Sequence, residues 1–457
     1  MERYSSDADT TAPNSSLSSA ASSTGSLARC SSLSRLSFDC SPSAAVAAAA
    51  TSCSPPRASV LLRPHRSGDV AWAAIRAAST TSAAPLGPRD FKLVRRIGGG
   101  DIGTVYLCRL RSSPESERES PCMYAMKVVD RRAVARKQKL GRAAAEKRIL
   151  RQLDHPFLPT LFADFDATPH FSCAVMEFCP GGDLHSLRHR MPSRRFPLPS
   201  ARFYAAEVLL AIEYLHMMGI VYRDLKPENV LIRADGHIML TDFDLSLQST
   251  TSPSLDGDTD TDDEASGGAS CFPDHLLRFK RRRNAVAAPR PRFVAEPVDA
   301  RSCSFVGTHE YVAPEVASGG AHGAAVDWWA YGVFLYELIY GRTPFAGATN
   351  EATLRNIVRR PLAFPSGSGS CGPADADARD LIARLLAKDP AARLGSRRGA
   401  ADVKSHPFFR SLNLALLRSS RPPVVPGAAA APLHRSQSCK AAPTTPPANA
   451  TARFDLF

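Results

Sequence analysis

No run of apolar residues in this 457-residue chain approaches the ~18 that a membrane-crossing helix needs. The opening MERYSSDADT has no hydrophobic stretch of the kind a secretory leader carries. Glu2 directly after Met1 excludes N-myristoylation. Membrane association, if any, is therefore expected to be peripheral. The eleven cysteines are scattered, with no C-x-x-C pair. That pattern indicates neither a disulfide framework nor a zinc site and reads as reduced thiols in a cytosolic protein. There is no internal repeat. There is also no basic groove interleaved with aromatics, so nucleic acid is not expected as the main partner.

What is present is an ordinary folded-protein composition, 44% hydrophobic and 22% charged, with a net charge of +13. That excess favours an acidic partner such as a nucleotide, an anionic lipid or an acidic protein. Residues 1–87 are rich in Ser and Ala and are expected to be mostly disordered, with order starting near Arg89. The exception is 60–78, where Val60, Leu61, Leu62, Trp72 and Ile75 can dock onto a folded surface. Residues 88–178 alternate apolar and polar side chains and read as strands. From 179 to 410 helical spacing dominates: Ala206, Leu209, Leu210 and Tyr214 share a face, and Gly219 can end that helix. Residues 248–300 hold the acidic run DGDTDTDDE and the basic run FKRRR, and read as a disordered insertion. Residues 411–457 form a tail ending in RFDLF.

Four stretches carry chemistry. Gly98, Gly100 and Gly103, followed by Val105, allow backbone N–H groups to approach phosphates closely; an ordinary structural turn is the alternative. The strand after them, TVYLCRL, is not the helix that a dinucleotide-binding fingerprint requires. Lys127 places a charge in an apolar strand and needs a partner, which Glu146 on the next helix can supply. In YRDLKPENVLI, Asp224 can accept a proton from an attacking hydroxyl, Lys226 can neutralise a transferring phosphoryl group, and Asn229 can offer oxygen to a hard cation. Asp242 in TDFDLS offers the carboxylate that Mg²⁺ prefers.

The order GGGDIGTV, YAMK, Glu146, YRDLKPEN, DFD and APE resembles the eukaryotic protein kinases over roughly residues 88–410. Lys226 resembles the serine/threonine kinases. Tyr222 and GTHEYVAPE resemble the AGC group, and DFD with the long insertion resembles its plant branch, AGCVIII. The resemblance implies an α+β two-lobe fold, with a β-rich N-lobe, an α-rich C-lobe and the disordered insertion before APE. It also implies ATP as phosphate donor and Mg²⁺ on Asn229 and Asp242. Catalysis would fall to Asp224, Lys226, Lys127 and Glu146. Nucleotide contacts would come from Ile97, Gly98, Gly100, Gly103, Val105, Ala125 and Lys127, from an adenine-binding hinge at Glu177–Cys179 beside Met176, from Asp183 at the ribose, and from Asn229. Ser304 would be phosphorylated and dock on Arg223, and Glu315 would pair with Arg393.

Asp244 stands where most of the family has glycine, and Ile102 stands where an aromatic is common. The first departure leaves two readings, an active enzyme and a pseudokinase scaffold that binds carriers without phosphoryl transfer; retention of every ligand favours the active one. Phe454 and Phe457 resemble the docking motif for the upstream phosphoinositide-dependent kinase. The cluster HLLRFKRRR combines Leu276, Leu277 and Phe279 with Arg278 and Lys280–Arg283, and fits an anionic phospholipid surface; nuclear import and plain solvated charge are the alternatives. By resemblance the protein substrates include PIN-type auxin efflux carriers, and the expected place is cytoplasmic and peripheral at the plasma membrane, with an endosomal pool allowed.

Overall fold

The computed structural model describes residues 64–81, 85–111, 122–249, 254–256, 292–294, 297, 302, 307–365 and 373–427. Residues 64–81, in the stretch expected to dock ahead of Arg89, are structured. Helix α1 (Val70–Thr81) follows a short turn of 3-10 helix at Pro64–Arg66. A twelve-residue helix is marginal alone, so it needs a surface. Trp72 and Ile75, one turn apart, are buried together with Phe162, Tyr124 and Cys173. Trp72 stacks on Phe162 with ring centroids 5.8 Å apart. Burying two such side chains contributes about 2–3 kcal/mol each, enough to hold the segment down. Val60, Leu61 and Leu62 lie outside the described residues.

The N-lobe is one antiparallel sheet with strand order β1-β2-β3-β5-β4. It is built from β1 (Phe91–Gly99), β2 (Thr104–Leu110), β3 (Met123–Asp130), β4 (Leu161–Thr168) and β5 (Phe171–Glu177). Between β3 and β4 run α2 (Arg131–Arg136) and α3 (Leu140–Gln152). The β1–β2 hairpin turns through the glycine cluster, with Gly99 opposite Thr104. Ile149 and Leu150 of α3 are buried, as is Leu153 just beyond it, and Glu146 sits on the same buried side.

The C-lobe is mainly helical. It holds α4 (Leu184–Arg190), α5 (Leu198–Met217), α6 (Pro314–Ala317), α7 (Ala325–Tyr340), α8 (Asn350–Arg359), α9 (Pro373–Leu385) and α10 (Ala400–Lys404). Helix α7 is buried nearly all round, and Trp328, Trp329, Tyr331 and Phe334 are fully enclosed. Helix α5 ends at Gly219, whose φ of +74° favours glycine and whose N–H reaches the His216 carbonyl at 2.9 Å. Three two-stranded ribbons complete the lobe. They pair β6 (Ile220–Val221) with β9 (Leu247–Gln248), β7 (Val230–Ile232) with β8 (Ile238–Leu240), and β10 (Ser254–Asp256) with β11 (Arg292–Val294).

Within the insertion expected to be disordered, the described residues include the short β10–β11 ribbon, whose two strands pair with each other. Order continues past 410, through a 3-10 helix at Leu414–Ser419 with Leu417 buried, and on to Gly427. There Val424 packs against the main core. Ser304, the basic cluster 275–283, and Phe454 and Phe457 lie outside the described residues. Among the described residues no helix is long and apolar enough to cross a membrane.

Candidate active site

The cleft is assembled from both lobes. Lys127 projects from β3, nine-tenths buried, and its ammonium lies 2.5 Å from Glu146 of α3 and 3.5 Å from Asp242. Burial works against the ammonium, but the two carboxylates outweigh it and hold the Lys127 pKa above its ordinary value. The partner that the strand position of Lys127 requires is therefore the one expected from the sequence.

On the C-lobe side, residues 222–229 run between β6 and β7. Lys226 Nζ donates to both oxygens of Asp224, at 3.0 and 2.8 Å, and to Thr308 Oγ1 at 3.1 Å. Asn229 Nδ2 donates to the Asp224 main-chain oxygen and to its carboxylate, each at 2.8 Å. Burial raises the Asp224 pKa, against the pull of Lys226. Asn229 spends its amide nitrogen on Asp224, which leaves its carbonyl oxygen as the atom for a cation. The Asp242 carboxylate is 39% exposed. One amide oxygen and one open carboxylate are the donor set a hard divalent cation takes, so these residues fit Mg²⁺.

The loop holding Asp224 is pinned by a residue the sequence reading missed. Asp327 of α7 is fully buried and accepts from Tyr222 N at 2.8 Å, Arg223 N at 2.7 Å and His216 Nε2 at 2.9 Å. Arg223 carries φ +67° and Asp242 +64°, a backbone region costly for residues with a Cβ. The signal for Asp327 was present in the sequence: a carboxylate inside the apolar VDWWAYG demands buried donors.

The glycine cluster divides by position. A Cβ at Gly103 would meet the Val128 carbonyl at 2.9 Å, whereas one at Gly100 would meet nothing within 4 Å and one at Gly98 only Val105 at 3.8 Å. Neither Gly98 nor Gly100 has positive φ. The protein's own packing therefore requires glycine at 103 alone, and the open space at 98 and 100 suits close approach of a phosphate. Ile102 at the loop tip is buried. Of the other nucleotide residues expected from resemblance, Ile97, Val105 and Ala125 lie on β1, β2 and β3 respectively.

Asp244 does not have positive φ, so it does not need the backbone freedom of the glycine it stands for. Burial, reinforced by Asp242, pushes its pKa up to about 6. Phe243 is fully buried against Tyr222.

Other assignments acquire partners. The Glu177 carboxylate binds Arg66 and, at 2.8 Å, Arg233, so only the main chain of this residue is left for the cleft. Cys179 is buried, and burial raises its thiol to about 12. Asp183 caps α4, with its two oxygens accepting from Ser186 N at 2.6 Å and Ser186 Oγ at 3.0 Å; a ribose would have to share them. Arg223 donates to Ser302 Oγ at 3.0 Å and to the Leu245 carbonyl at 2.7 Å. Arg142 of α3 adds a second positive charge that helps depress the Arg223 pKa, behind burial as the main cause; it was also missed from the sequence. Arg393 forks onto Glu315 at 2.8 and 2.9 Å, the pairing expected.

Comparison with known proteins agrees with this geometry. The family model described as the protein kinase domain matches residues 91–263 and 293–409. The chain is 97% identical to a protein named protein kinase PINOID from Oryza sativa subsp. japonica, over all of this chain and 96% of that one. It is 50% identical to protein kinase PINOID 2 of the same species, over 81% of this chain and 84% of that one. It is also 50% identical to serine/threonine-protein kinase AGC1-5 of Arabidopsis thaliana, over 80% of this chain and 64% of that one.

Proposed function

The chain belongs to the protein kinase family and is a plant AGC-type serine/threonine kinase, and from that premise we propose that it transfers the γ-phosphate of Mg²⁺-bound ATP to hydrophilic loops of auxin efflux carriers. The observation that carries the chemistry is the convergence of Lys127, Asp224 and Asp242 on one cleft. Asp224 orients the substrate hydroxyl and accepts its proton as the new O–P bond forms. The bond from the γ-phosphorus to the β-phosphate oxygen breaks, and ADP leaves. Lys226, held on Asp224, faces the transferring group, while Lys127, fixed by Glu146, is placed for the phosphates nearer the ribose. Asn229 and Asp242 would hold Mg²⁺, which would supply electrostatic stabilisation to the charged phosphate oxygens.

The substrate class is supported by the 97% identity to the rice kinase PINOID and by the resemblance of residues 301–320 to that branch. Incubating the purified full chain with labelled ATP, Mg²⁺ and a carrier hydrophilic loop is expected to label serine or threonine in the loop. Labelling of a generic substrate but not of the loop would refute the carrier assignment.

Two motifs extend the proposal: Phe454 and Phe457 recruit the phosphoinositide-dependent kinase, which phosphorylates Ser304, and the basic cluster at 278–283 binds anionic phospholipid at the cytoplasmic face of the plasma membrane. Alanine at both phenylalanines should slow Ser304 phosphorylation, and alanine across the cluster should release the chain from anionic liposomes. An unchanged rate or unchanged sedimentation removes the corresponding arm.

A further inference from the structure

Arg66 lies outside the matched kinase domain yet is only 7% exposed, and a buried guanidinium needs opposite charge beside it. It finds two carboxylates. Nη1 donates to Asp69 at 2.9 Å, and Nη2 donates to Glu177. Asp69 is itself fixed, because its other oxygen caps α1 by accepting from Ala71 N at 2.9 Å and Trp72 N at 3.1 Å. Glu177 is the last residue of β5, where the chain leaves the N-lobe. Its carboxylate is shared with Arg233, which follows β7 in the C-lobe and is 4% exposed. One carboxylate thus joins the N-terminal segment, the N-lobe sheet and the C-lobe.

The segment grips the sheet a second time at the same register. Glu177 pairs with Tyr124 across β5 and β3, and the Tyr124 hydroxyl donates to the Ala71 carbonyl of α1 at 2.9 Å. Adjacent His65 lies 3.3 Å from Asp154, beyond α3. Nothing in the catalytic chemistry uses these contacts, and those of Arg66 and Ala71 converge on the strand pair that leads into residues 177–179.

We propose that Arg66 is a positioning residue for ATP: from the N-terminal segment it holds the Glu177 carboxylate, and through it the backbone of residues 177–179 against which the adenine lies. The proposal rests on the kinase reading above. Removing Arg66 leaves Glu177 on Arg233 alone, so the chain folds but the hinge loosens.

The test uses the full-length chain, with ATP varied at saturating peptide substrate. Arg66→Gln is expected to raise KM for ATP by about three- to tenfold with kcat within about twofold, and Arg66→Lys to fall between it and wild type. Trp72→Ala, which undocks α1, should give the same KM effect. Amide exchange of residues 177–183 should quicken in Arg66→Gln and Trp72→Ala. An unchanged KM in Arg66→Gln, whether or not the melting temperature falls, overturns the proposal and leaves Arg66 a purely structural role. If wild type itself transfers no phosphate, the kinase reading fails instead, and unchanged exchange at 177–183 in Arg66→Gln would then independently overturn the hold of Arg66 on these residues.

Discussion

At Glu177 the carboxylate and the main chain have separate tasks, because the carboxylate is held by Arg66 and Arg233. The family resemblance implies a nucleotide contact here, and the main chain of the residue is left for that role. Its carboxylate points elsewhere, into two guanidinium groups. Burial alone would raise its pKa, but Arg233 and Arg66 outweigh burial and bring it down to about 2 from the ordinary 4.5. A depressed carboxylate stabilises the folded state above pH 4.5, and that stabilisation fades as pH falls towards 2. Between pH 6 and pH 3 this group alone should withdraw about 2 kcal/mol of stability. Urea unfolding of wild type and Glu177→Gln checks this: the wild type should lose about that much more over the interval. Parallel pH profiles would show that the ion triad does not form in solution.

At the scale of elements, the turn of the β1–β2 hairpin separates folding from function between Gly100 and Gly103. Gly103→Ala drives a methyl into the Val128 carbonyl and should lower stability by about 1–3 kcal/mol. Gly100→Ala touches nothing in the protein and should leave the melting temperature unchanged while raising KM for ATP severalfold. Calorimetry and steady-state kinetics on the two variants decide it, and equal effects on stability would refute the division. The strands and long helices were legible because their periodicities are local. Lys127, Glu146, Asp224, Asn229 and Asp242 were legible because each is a polar residue in a fixed motif order. What was not legible depends on distant pairing. α1 is a short alanine-rich helix whose only strong signals, Trp72 and Ile75, say that it docks but not where. Asp327 acts through three donors 104–111 residues away in sequence. Arg142, Arg66 and Ser302 likewise gain meaning only from neighbours brought by the fold. The β10–β11 ribbon pairs segments on either side of a strongly charged stretch, and neither strand is long enough to announce itself.

Across the whole molecule, the cleft depends on parts that do not touch substrate. The sheet carries Lys127, α3 supplies its counter-charge, α7 fixes the loop of Asp224 through Asp327, and the N-terminal segment braces the crossing between lobes. The Arg393–Glu315 fork ties the APE turn to the loop after α9. Asp244 adds a carboxylate to this site without backbone strain, which favours activity over a scaffold that has lost its chemistry. The most direct measurement compares magnesium-dependent transfer of labelled phosphate from ATP to a serine/threonine peptide by wild type and by Asp224→Asn, both folded to the same melting temperature. The account predicts robust transfer by wild type, lost on chelation, and a fall of at least about a thousandfold in Asp224→Asn. Comparable turnover by the two proteins would contradict it.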